Sequence, residues 1–424
     1  MNGTLPLTAA LLGCLTVLGA PPDAISPAAP DTIYHHGVVL TMNATQPRAE
    51  AIAILRDRIV AVGDDETVLS LASRTTRLIN LNGHTVMPGF IDSHAHWIGD
   101  GEMIGYTAEQ AVSAALTRGW TSINEQFVDI ERFGNLRSLD RAGALRLRVN
   151  AYLPVNYGDE KFGGWYLGIQ PRQSYSPHLR VAGIKLFLDH DWGTTFHWNQ
   201  AELNDYVGVA HRNGWQISAH VVSAEAHDQY LTAITEALKA HPNPDARHRV
   251  EHVIQLRDDQ LARMRELGLI ASIQPGLPGE SAKEAGFPAL VARGEPGWIA
   301  RWQDLLDEGV RTIGSTDMPW LVLVHGGHAT DMPHGTPLEA VHQAVGHGLT
   351  VEQALRMFTV DAAYGTFEED VKGSLAPNKY ADFVILSDDP TSATDLPSIE
   401  TLATVVGGRS EHCADRVRDA NMCS

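Results

Sequence analysis

Short apolar runs rich in β-branched residues recur along the middle of the 424-residue chain, roughly every 30 residues. They occupy residues 90–96, 120–127, 147–155, 181–190, 215–222, 248–254, 269–276 and 310–317. Segments with apolar residues at helical spacing separate several of them, as in TAEQAVSAALTRG, NQAELNDYVGVAHRNG and DDQLARMRELG. This alternation predicts an α/β fold with eight parallel strands closed into a (β/α)8 TIM barrel. An open doubly wound sheet is the alternative, but no glycine-rich phosphate loop follows the first run.

The segments on either side of the predicted barrel have β-type patterns. Residues 31–88 contain short β-rich runs broken by Gly, Asn and Asp, with Arg56-Asp57 as a hairpin turn. After two predicted helices in residues 336–366, the chain returns to β-type runs in residues 368–424. We therefore expect residues 89–367 to form the barrel. Residues 31–88 and 368–424 together are expected to form a small β-sandwich domain.

The charge of the chain bears on its partners. A formal net charge of -19 at pH 7 argues against nucleic acid or an anionic membrane surface as a partner. The hydrophobic content of 44% and charged content of 20% are those of an ordinary globular protein. A small-molecule partner is expected, with no membrane-spanning segment, and a homo-oligomer is left open.

The first 30 residues are interpreted as a signal peptide and leader. Residues 7–20 form an uncharged apolar run that is too short to span a bilayer, although no Lys or Arg precedes it. An exported protein, periplasmic or secreted, is expected. A lipid anchor at Cys14 and a cytoplasmic location stay open. Cys413 and Cys423 could close a C-terminal loop after export, or remain free thiols in the cytosol.

Polar side chains stand at or near the ends of five of the eight runs: His94 and His96, then Lys185, His220, His252 and Asp317. In a barrel the carboxyl ends of the strands meet at one mouth, where barrel enzymes place their chemistry. Imidazole and carboxylate groups suit zinc and related divalent ions. Each residue alone also has an ordinary explanation, such as a hydrogen-bonded core histidine, a turn aspartate, or a lysine paired with Asp189. Their occurrence together, in this order, favours a metal site.

The motifs VMPGFIDSHAH, IKLFLD, RVEHV and GSTDMP, followed by GLTVEQALRMFTVDAA and GSLAPNKYADFVILSDDP, resemble the amidohydrolase superfamily. The resemblance is strongest to the branch called amidohydrolase family 3, and it covers nearly the whole chain after the leader. It implies a metal-dependent hydrolase that cleaves an amide-type carbon–nitrogen bond, other than a peptide bond, in a small molecule. The attacking group would be a metal-bound hydroxide.

The same resemblance implies the ligands of two divalent metal ions, with zinc as the expected metal. His94 and His96 would bind the more buried ion, and His220 and His252 the more exposed one. The second ion would polarise the carbonyl group under attack.

Lys185 and Asp317 would complete the centre. An unpaired ammonium in an apolar strand is costly, and carbamylation of Lys185 by carbon dioxide would convert it into a carboxylate that bridges both ions. Asp317 would bind the first ion and act as the catalytic group. It would take a proton from the hydroxide and deliver it to the leaving nitrogen.

Loop residues after the strands are the candidates for substrate binding. They are Trp97, His190, Trp192, His325 and His328. Glu125 and Gln126, at the end of the second run, could also face the mouth. Solvated loop residues of no special role are an equally ordinary explanation for each.

Three other functions stay open at this point. A deaminase on the same scaffold is one, although it usually needs one metal and a glutamate beside the fifth-strand histidine. Lactone or ester hydrolysis would use the same groups. A non-catalytic scaffold is the third, but such a protein should have lost ligands, and all six are present in the sequence.

Overall fold

A computed structural model describes residues 28–162, 164, 168–191, 193–277, 292–320 and 335–418, together with Met1 and Cys423. The predictions for residues 7–20, Cys14, Trp192, His325 and His328 lie outside these described residues. Among the residues that were searched, no helix is long and apolar enough to cross a membrane.

Seven strands precede the barrel. They are β1 (Thr32–His35), β2 (Val38–Leu40), β3 (Arg48–Ala49), β4 (Ala51–Leu55), β5 (Arg58–Gly63), β6 (Arg77–Asn80) and β7 (Thr85–Pro88). Four of them form a sheet in the order β5-β4-β1-β6. The β4–β5 pair is antiparallel and turns at Arg56 and Asp57, as predicted, and Arg56 takes the left-handed backbone that a tight turn requires (φ 56°).

All eight predicted barrel strands are present. The strands from here to the barrel's end are β8 (Phe90–Ala95), β9 (Trp120–Glu125), β10 (Arg148–Pro154), β11 (Asn156–Tyr157), β12 (Glu160–Lys161), β13 (Leu179–Phe187), β14 (Asp189–His190), β15 (Thr195–Phe196), β16 (Ile217–Val221), β17 (Arg249–His252), β18 (Ile270–Ile273) and β19 (Arg311–Gly314). Eight of these form one sheet in the order β8-β9-β10-β13-β16-β17-β18-β19, and every pair in it is parallel.

Two backbone hydrogen bonds bring the ends of this sheet together. The amide of Asp317 donates to the carbonyl of His94 (2.8 Å), and the amide of His96 donates to the carbonyl of Met318 (2.6 Å). The residues that follow β19 thereby meet β8, and the sheet is a nearly closed barrel of the TIM type. The α/β fold class is therefore confirmed at the level of the barrel.

The α-helices of the described residues are α1 (Asp65–Leu69), α2 (Ala108–Arg118), α3 (Ile130–Ala142), α4 (Gln200–Arg212), α5 (Ala224–Ala240), α6 (Asp258–Glu266), α7 (Trp302–Asp307), α8 (Pro337–Gly346), α9 (Val351–Met357), α10 (Val360–Tyr364) and α11 (Asp415–Arg418). The helix α2 shows why these segments are helical: Thr107 and Gln110 form a capping box at its start, and Gly119 ends it in left-handed backbone. Three helices, α8, α9 and α10, occupy the region where two were predicted.

One crossover differs from the expected pattern. Between β10 and β13, the described residues contain the short antiparallel pair β11–β12 and no α-helix. Asn156 and Tyr157 extend directly from the end of β10, so this hairpin stands at the barrel mouth.

The C-terminal strands are β20 (Phe383–Leu386), β21 (Thr401–Val406) and β22 (Arg409–Cys413). They join the N-terminal segment in a second sheet of order β22-β21-β20-β7-β2-β3, in which β20 pairs antiparallel with β7. Tyr34 and Ile52 from the first sheet belong to the same buried apolar cluster as Phe383 and Val405 from the second. The pairing of the two terminal segments is as predicted, while the domain boundaries stay a prediction.

The C-terminal cysteines are covalently linked. Cys413, at the end of β22, forms a disulfide with Cys423, with the Cα atoms 6.2 Å apart. Of the two possibilities that the sequence left open, the structure has the closed loop.

Candidate metal centre and cavity

The six predicted ligands come together where the barrel strands end. They are buried or nearly so: Lys185 has 0% exposure and His94 1%, while the side chains of Asp317 and His220 keep 12% and 18%. The register explains the convergence: Phe187 stands opposite His220, and Val221 stands opposite His252. Neighbouring parallel strands thus deliver side chains at similar heights to one mouth.

His94, His96 and Asp317 form the tightest part of the group. Each offers one ligand atom, and these atoms all lie within 4.8 Å of one another. The Asp317 Oδ1 atom is 3.4 Å from His94 Nε2 and 3.5 Å from His96 Nε2. One carboxylate and two imidazoles at these distances surround a space suited to a single cation.

The other three ligands adjoin this cluster. The Lys185 Nζ atom lies 3.4 Å from His94 Nε2. The ring centroid of His252 is 4.9 Å from that of His94 and 4.3 Å from that of His220. The six side chains therefore form one continuous group rather than two separate sites.

Residues behind the ligands fix their orientation. Glu251 Oε2 accepts a hydrogen bond from His94 Nδ1 (2.7 Å), and the guanidinium of Arg249 holds the same carboxylate through Nε (2.7 Å) and Nη2 (3.0 Å). Gln274 Oε1 accepts from His252 Nδ1 (2.9 Å). With the Nδ1 proton engaged in each case, the Nε2 lone pair of His94 and of His252 points away from these partners, as a metal ligand requires.

Sequence reasoning missed Glu251, Arg249 and Gln274 as parts of the site. A signal for the first two was present, because charged residues two positions apart in RVEHV share one face of a buried strand. Gln274 directly follows the seventh barrel strand, where a polar side chain also stands at the mouth.

Two observations test whether these residues fit a metal ion. The buried Nε2 atom of His252 has no hydrogen-bond partner among the described residues, although its Nδ1 atom is bonded. Within the described part of the chain, no carboxylate oxygen lies within 4 Å of the fully buried Lys185 Nζ. An unpaired imidazole nitrogen is costly in a protein interior, and so is a buried ammonium whose charged form the carboxylates of Glu251 and Asp317 favour only from beyond ion-pair distance. Both features fit a site that holds cations and a modified lysine.

The electrostatics of the site favour ligand-competent forms. Burial, and then the charge of Lys185, lower the pKa of His94 well below its usual value, and burial lowers the pKa of His252 to about 4. Burial also lowers the pKa of Lys185 to about 8. Burial alone would raise the pKa of Asp317, but its hydrogen bond with His96 and the nearby imidazoles lower it to about 2. Neutral imidazoles and an ionised carboxylate are the states that bind metal ions.

Four residues that line the cavity have left-handed backbone conformations that residues other than glycine rarely adopt. They are Phe127 (φ 57°), Asp191 (φ 50°), His252 (φ 77°) and Asp317 (φ 59°). Each such residue costs of order 1–3 kcal/mol, and such strain is found preferentially at functional sites. Two of the four are predicted ligands.

The ligands form the floor of a cavity of about 620 Å³. Its wall is largely apolar, and includes Phe127, Tyr157, Phe187, Val222 and Trp320. A volume of this order with a few polar groups is typical of a small-molecule site.

Polar groups interrupt the apolar wall at two places. Asp100 and Arg132 form an ion pair there. Elsewhere on the wall, His190 is hydrogen-bonded through Nδ1 to His197 Nε2 (2.7 Å), and His197 Nδ1 donates to the exposed carboxylate of Asp159 (3.0 Å). The second of the predicted substrate contacts, His190, is thus held in place at the cavity wall.

The other second-tier candidates have different positions. Trp97 is 1% exposed, and its indole N–H donates to Asp92 Oδ2 (3.1 Å). The predicted substrate contact of Trp97 is therefore corrected, because the side chain turns into the core. Glu125 is buried and accepts hydrogen bonds from the amides of Ile98 (3.1 Å) and Gly99 (2.7 Å).

Asp189 is not in ion-pair contact with Lys185, the partner that the sequence offered. It accepts hydrogen bonds from the amides of Val222 (3.1 Å) and Ser223 (2.8 Å), and lies 3.8 Å from His220 Nε2. Gln126 is buried and accepts a hydrogen bond from the hydroxyl of Ser218 (3.1 Å). Trp192, His325 and His328 stay predictions.

A parallel eight-stranded barrel with this group at its mouth defines a TIM-barrel protein with a candidate metal centre. The model of the Amidohydrolase family matches residues 105–411, and the chain belongs to this family, in the branch that its motifs indicated.

Comparison with individual proteins gives more distant matches. The chain is 26% identical over 326 residues to an N-substituted formamide deformylase from Arthrobacter pascens, covering 69% of this chain and 57% of that protein. It is 25% identical over 376 residues to an adenine deaminase from Methanococcoides burtonii, covering 84% and 55%. The chain thus spans little more than half the length of these relatives.

Solved structures share the fold at lower identity. The structure of a molinate hydrolase matches with a TM-score of 0.68 and 17% identity, covering 90% of this chain and 94% of that one. At this identity the likeness concerns the fold alone.

Proposed function

We propose that this protein is a metal-dependent hydrolase that cleaves an amide-type carbon–nitrogen bond, other than a peptide bond, in a small apolar molecule. The observation that carries the proposal is the convergence of His94, His96, Lys185, His220, His252 and Asp317 on the floor of one cavity. Membership of the amidohydrolase family supports the same reaction class.

These residues would hold two divalent metal ions, and zinc is the expected metal. His94, His96 and Asp317 would bind one ion, and His220 and His252 the other. When bound, the ions would supply an activated water at neutral pH and polarise the carbonyl group of the substrate.

Lys185 would bridge the two ions after it reacts with carbon dioxide. In that reaction the ammonium first loses a proton, and the neutral amine then attacks the carbon of carbon dioxide. A carbon–nitrogen bond forms while one carbon–oxygen π pair moves onto oxygen, and a second proton leaves the nitrogen, so that a carbamate anion replaces the ammonium. Its full burial, with no carboxylate in ion-pair contact among the described residues, supports this proposal, since the modification replaces a poorly compensated buried cation by an anion.

The protein's own groups would orient the reactants and move the proton. Asp317 would accept a proton at its carboxylate from the attacking water and release it to the leaving nitrogen, in the manner of a general base that becomes a general acid. Glu251 and Gln274 would hold the imidazoles of His94 and His252 in the ligating tautomer. The aromatic wall would exclude water and bind the apolar part of the substrate.

A substrate panel tests the reaction class. Purified protein loaded with zinc is assayed with formamides, N-acyl amino acids, cyclic amides, lactones, adenine and dipeptides. We expect hydrolysis of apolar amides, measured by release of the amine. Preferred release of ammonia from adenine would favour a deaminase, preferred cleavage of dipeptides a peptidase, and preferred lactone opening an esterase. Each of these results would contradict the proposal.

The variant Lys185→Ala tests the assignment of the metal centre. We expect it to lose bound zinc and nearly all activity, because the bridging group is gone, and a short carboxylic acid added in solution should restore part of both. Elemental analysis and the amide assay are the measurements. The exposed Lys239→Ala serves as the control. Full activity and metal content in Lys185→Ala would refute a bridging role.

Two further proposals concern the rest of the chain. The terminal sheets, which share one buried apolar cluster, are proposed to form a β-sandwich domain beside the barrel.

The Cys413–Cys423 disulfide supports export, because disulfides persist in oxidising compartments. Titration of free thiols in protein isolated from its native cell tests the latter, and two reduced C-terminal thiols would contradict it.

A further inference from the structure

A second group of metal-binding side chains lies outside the cavity, at the edge of the N-terminal sheet. It consists of His35, His36 and Asp65, and these residues offer ligand atoms that all lie within 4.8 Å of one another. His35 and Asp65 are partly buried and His36 is exposed. None of the three lines the cavity of the barrel.

The backbone explains how two consecutive histidines face the same point. Adjacent residues of a strand normally point to opposite faces of the sheet. His35 is the last residue of β1, and His36 then adopts a left-handed conformation (φ 57°) that turns its side chain back. The two Nδ1 atoms consequently approach each other within hydrogen-bond distance, with the ring centroids 4.7 Å apart.

Asp65 completes the group from the start of α1. Its Oδ1 atom accepts a hydrogen bond from the backbone amide of His36 (2.8 Å), and its Oδ2 atom lies 3.5 Å from His36 Nδ1. The amide of Asp65 donates to Glu50 Oε2 (3.1 Å), which fixes this end of the helix. The carboxylate is thus held by its neighbours in a position next to both imidazoles.

The approach of two Nδ1 atoms is an arrangement that a cation satisfies. Two neutral imidazoles can share one proton between these nitrogens, but a metal ion uses both lone pairs and the carboxylate together.

We propose that His35, His36 and Asp65 bind one divalent transition-metal ion of the class that prefers imidazole, namely zinc, nickel or copper(II). Three protein ligands on one side leave the remaining positions to water, as the exposure of His36 allows. The ion connects the end of β1 to the start of α1. It is distinct from the barrel centre, and its presence does not depend on the reaction that the barrel catalyses.

Such a site stabilises the folded protein by mass action, because the unfolded chain does not hold the three groups together. The left-handed backbone of His36 decides which substitution is the best test of the site. Asparagine tolerates left-handed backbone better than most residues and carries no imidazole, so His36→Asn removes a ligand while preserving the turn.

The experiment compares metal binding by the whole protein and its variants. Wild type, His36→Asn and Asp65→Asn are dialysed against excess zinc, washed, and analysed for bound zinc per chain. Their retention on immobilised nickel is measured without an affinity tag. His342→Asn, which changes an exposed histidine on α8, is the control.

We expect His36→Asn to bind one zinc ion fewer than wild type and to elute earlier from nickel, while amide hydrolysis is unchanged. Asp65→Asn should bind zinc at least about tenfold more weakly. His342→Asn should match the wild type in both measurements. Equal zinc content and equal nickel retention in wild type and His36→Asn would overturn the proposal, whatever the barrel binds.

Discussion

At the scale of single residues, the candidate metal centre depends on groups that would not touch a metal ion. Gln274 accepts a hydrogen bond from His252 Nδ1 and donates through Nε2 to the hydroxyl of Ser315 (2.9 Å). The imidazole therefore has one tautomer and one orientation. Since Gln274 is neutral, its replacement leaves no buried charge without a partner, which makes it the clearest residue with which to test this support.

We expect Gln274→Leu to weaken zinc binding by about 10- to 100-fold and to lower activity at limiting zinc. The reason is that the His252 ring would be free to rotate or to change tautomer. Zinc affinity is measured by competition with a chelator, and folding by circular dichroism. Gln303→Leu, at a residue whose amide donates to Asp307 within its own helix α7, is the matched control. Unchanged zinc affinity in Gln274→Leu would contradict the orienting role.

Glu125 provides a prediction about pH. Burial raises the pKa of Glu125 from 4.5 to about 8, against the hydrogen bonds from the amides of Gly99 and Ile98, which lower it. Between these two values the folded protein retains a proton that the unfolded chain releases. The free energy of unfolding should therefore fall as pH rises through this window, by at most about 1.4 kcal/mol per pH unit.

The variant Glu125→Gln should remove that part of the slope, because the amide does not titrate. Urea unfolding measured across the window, for wild type and variant, is the test. Glu131→Gln, at an exposed position on α3, should keep the wild-type slope. Parallel slopes in wild type and Glu125→Gln would show that the carboxyl group does not carry the effect.

The residue scale also shows what the sequence could and could not predict. His94, Lys185 and Asp317 were predictable because strand periodicity and barrel topology place strand-end residues at one mouth. Gln274 also follows a strand end, but its role was not predictable, because that role is defined by a partner 22 positions away that only the register brings near. Trp97 was placed wrongly, since nothing in the sequence indicates that the chain turns its indole toward Asp92.

At the scale of elements, the cavity wall comes from pieces too short to be predicted. The β11–β12 hairpin contributes Tyr157, and β14 contributes His190. Each of these strands has two residues, which is below the length at which alternation can be recognised. The long barrel strands and the helices α2, α4 and α6 were predicted because their patterns extend over several turns or residues.

The chain of hydrogen bonds from His190 through His197 to Asp159 joins these pieces. We expect His197→Ala to raise KM severalfold for the best substrate of the panel and to change kcat less, because His190 loses its orientation while the metal ligands stay in place. His197→Gln, which can still hydrogen-bond His190, should recover most of the loss. Equal decreases in kcat and kcat/KM with unchanged KM would contradict a role in positioning the wall.

At the scale of the whole molecule, the barrel and the terminal sheets are linked by a buried ion pair. Arg148 at the start of β10 donates to both carboxylate oxygens of Asp382, through Nε (2.5 Å) and Nη2 (2.8 Å), and both side chains are 5% exposed. The amide of Gly407, in the turn after β21, donates to the same carboxylate (2.8 Å). Asp382 thus connects the start of barrel strand β10 to the sheet that the two terminal segments share.

We expect Asp382→Ala to lower the free energy of unfolding by about 3–5 kcal/mol, because it leaves the guanidinium buried without its partner. Unfolding in urea, followed by circular dichroism, gives the value. Asp389→Ala breaks the pair with Arg48, which is 54% exposed, and should cost no more than about 1 kcal/mol. A small change in Asp382→Ala would mean that the two parts are joined mainly by apolar contacts.

The hydrogen bond from the Asp317 amide to the His94 carbonyl has a consequence for how this protein can evolve. Asp317, which is proposed to transfer the proton, also joins the last barrel strand to the first through its backbone amide. It has a left-handed backbone conformation and lies beside His94 of the same centre. Substitutions that widen the cavity between β19 and β8 would therefore also disturb the proposed metal ligands. New specificity should instead arise in the β11–β12 and β14–β15 hairpins, which can change in sequence without breaking the contact between β19 and β8.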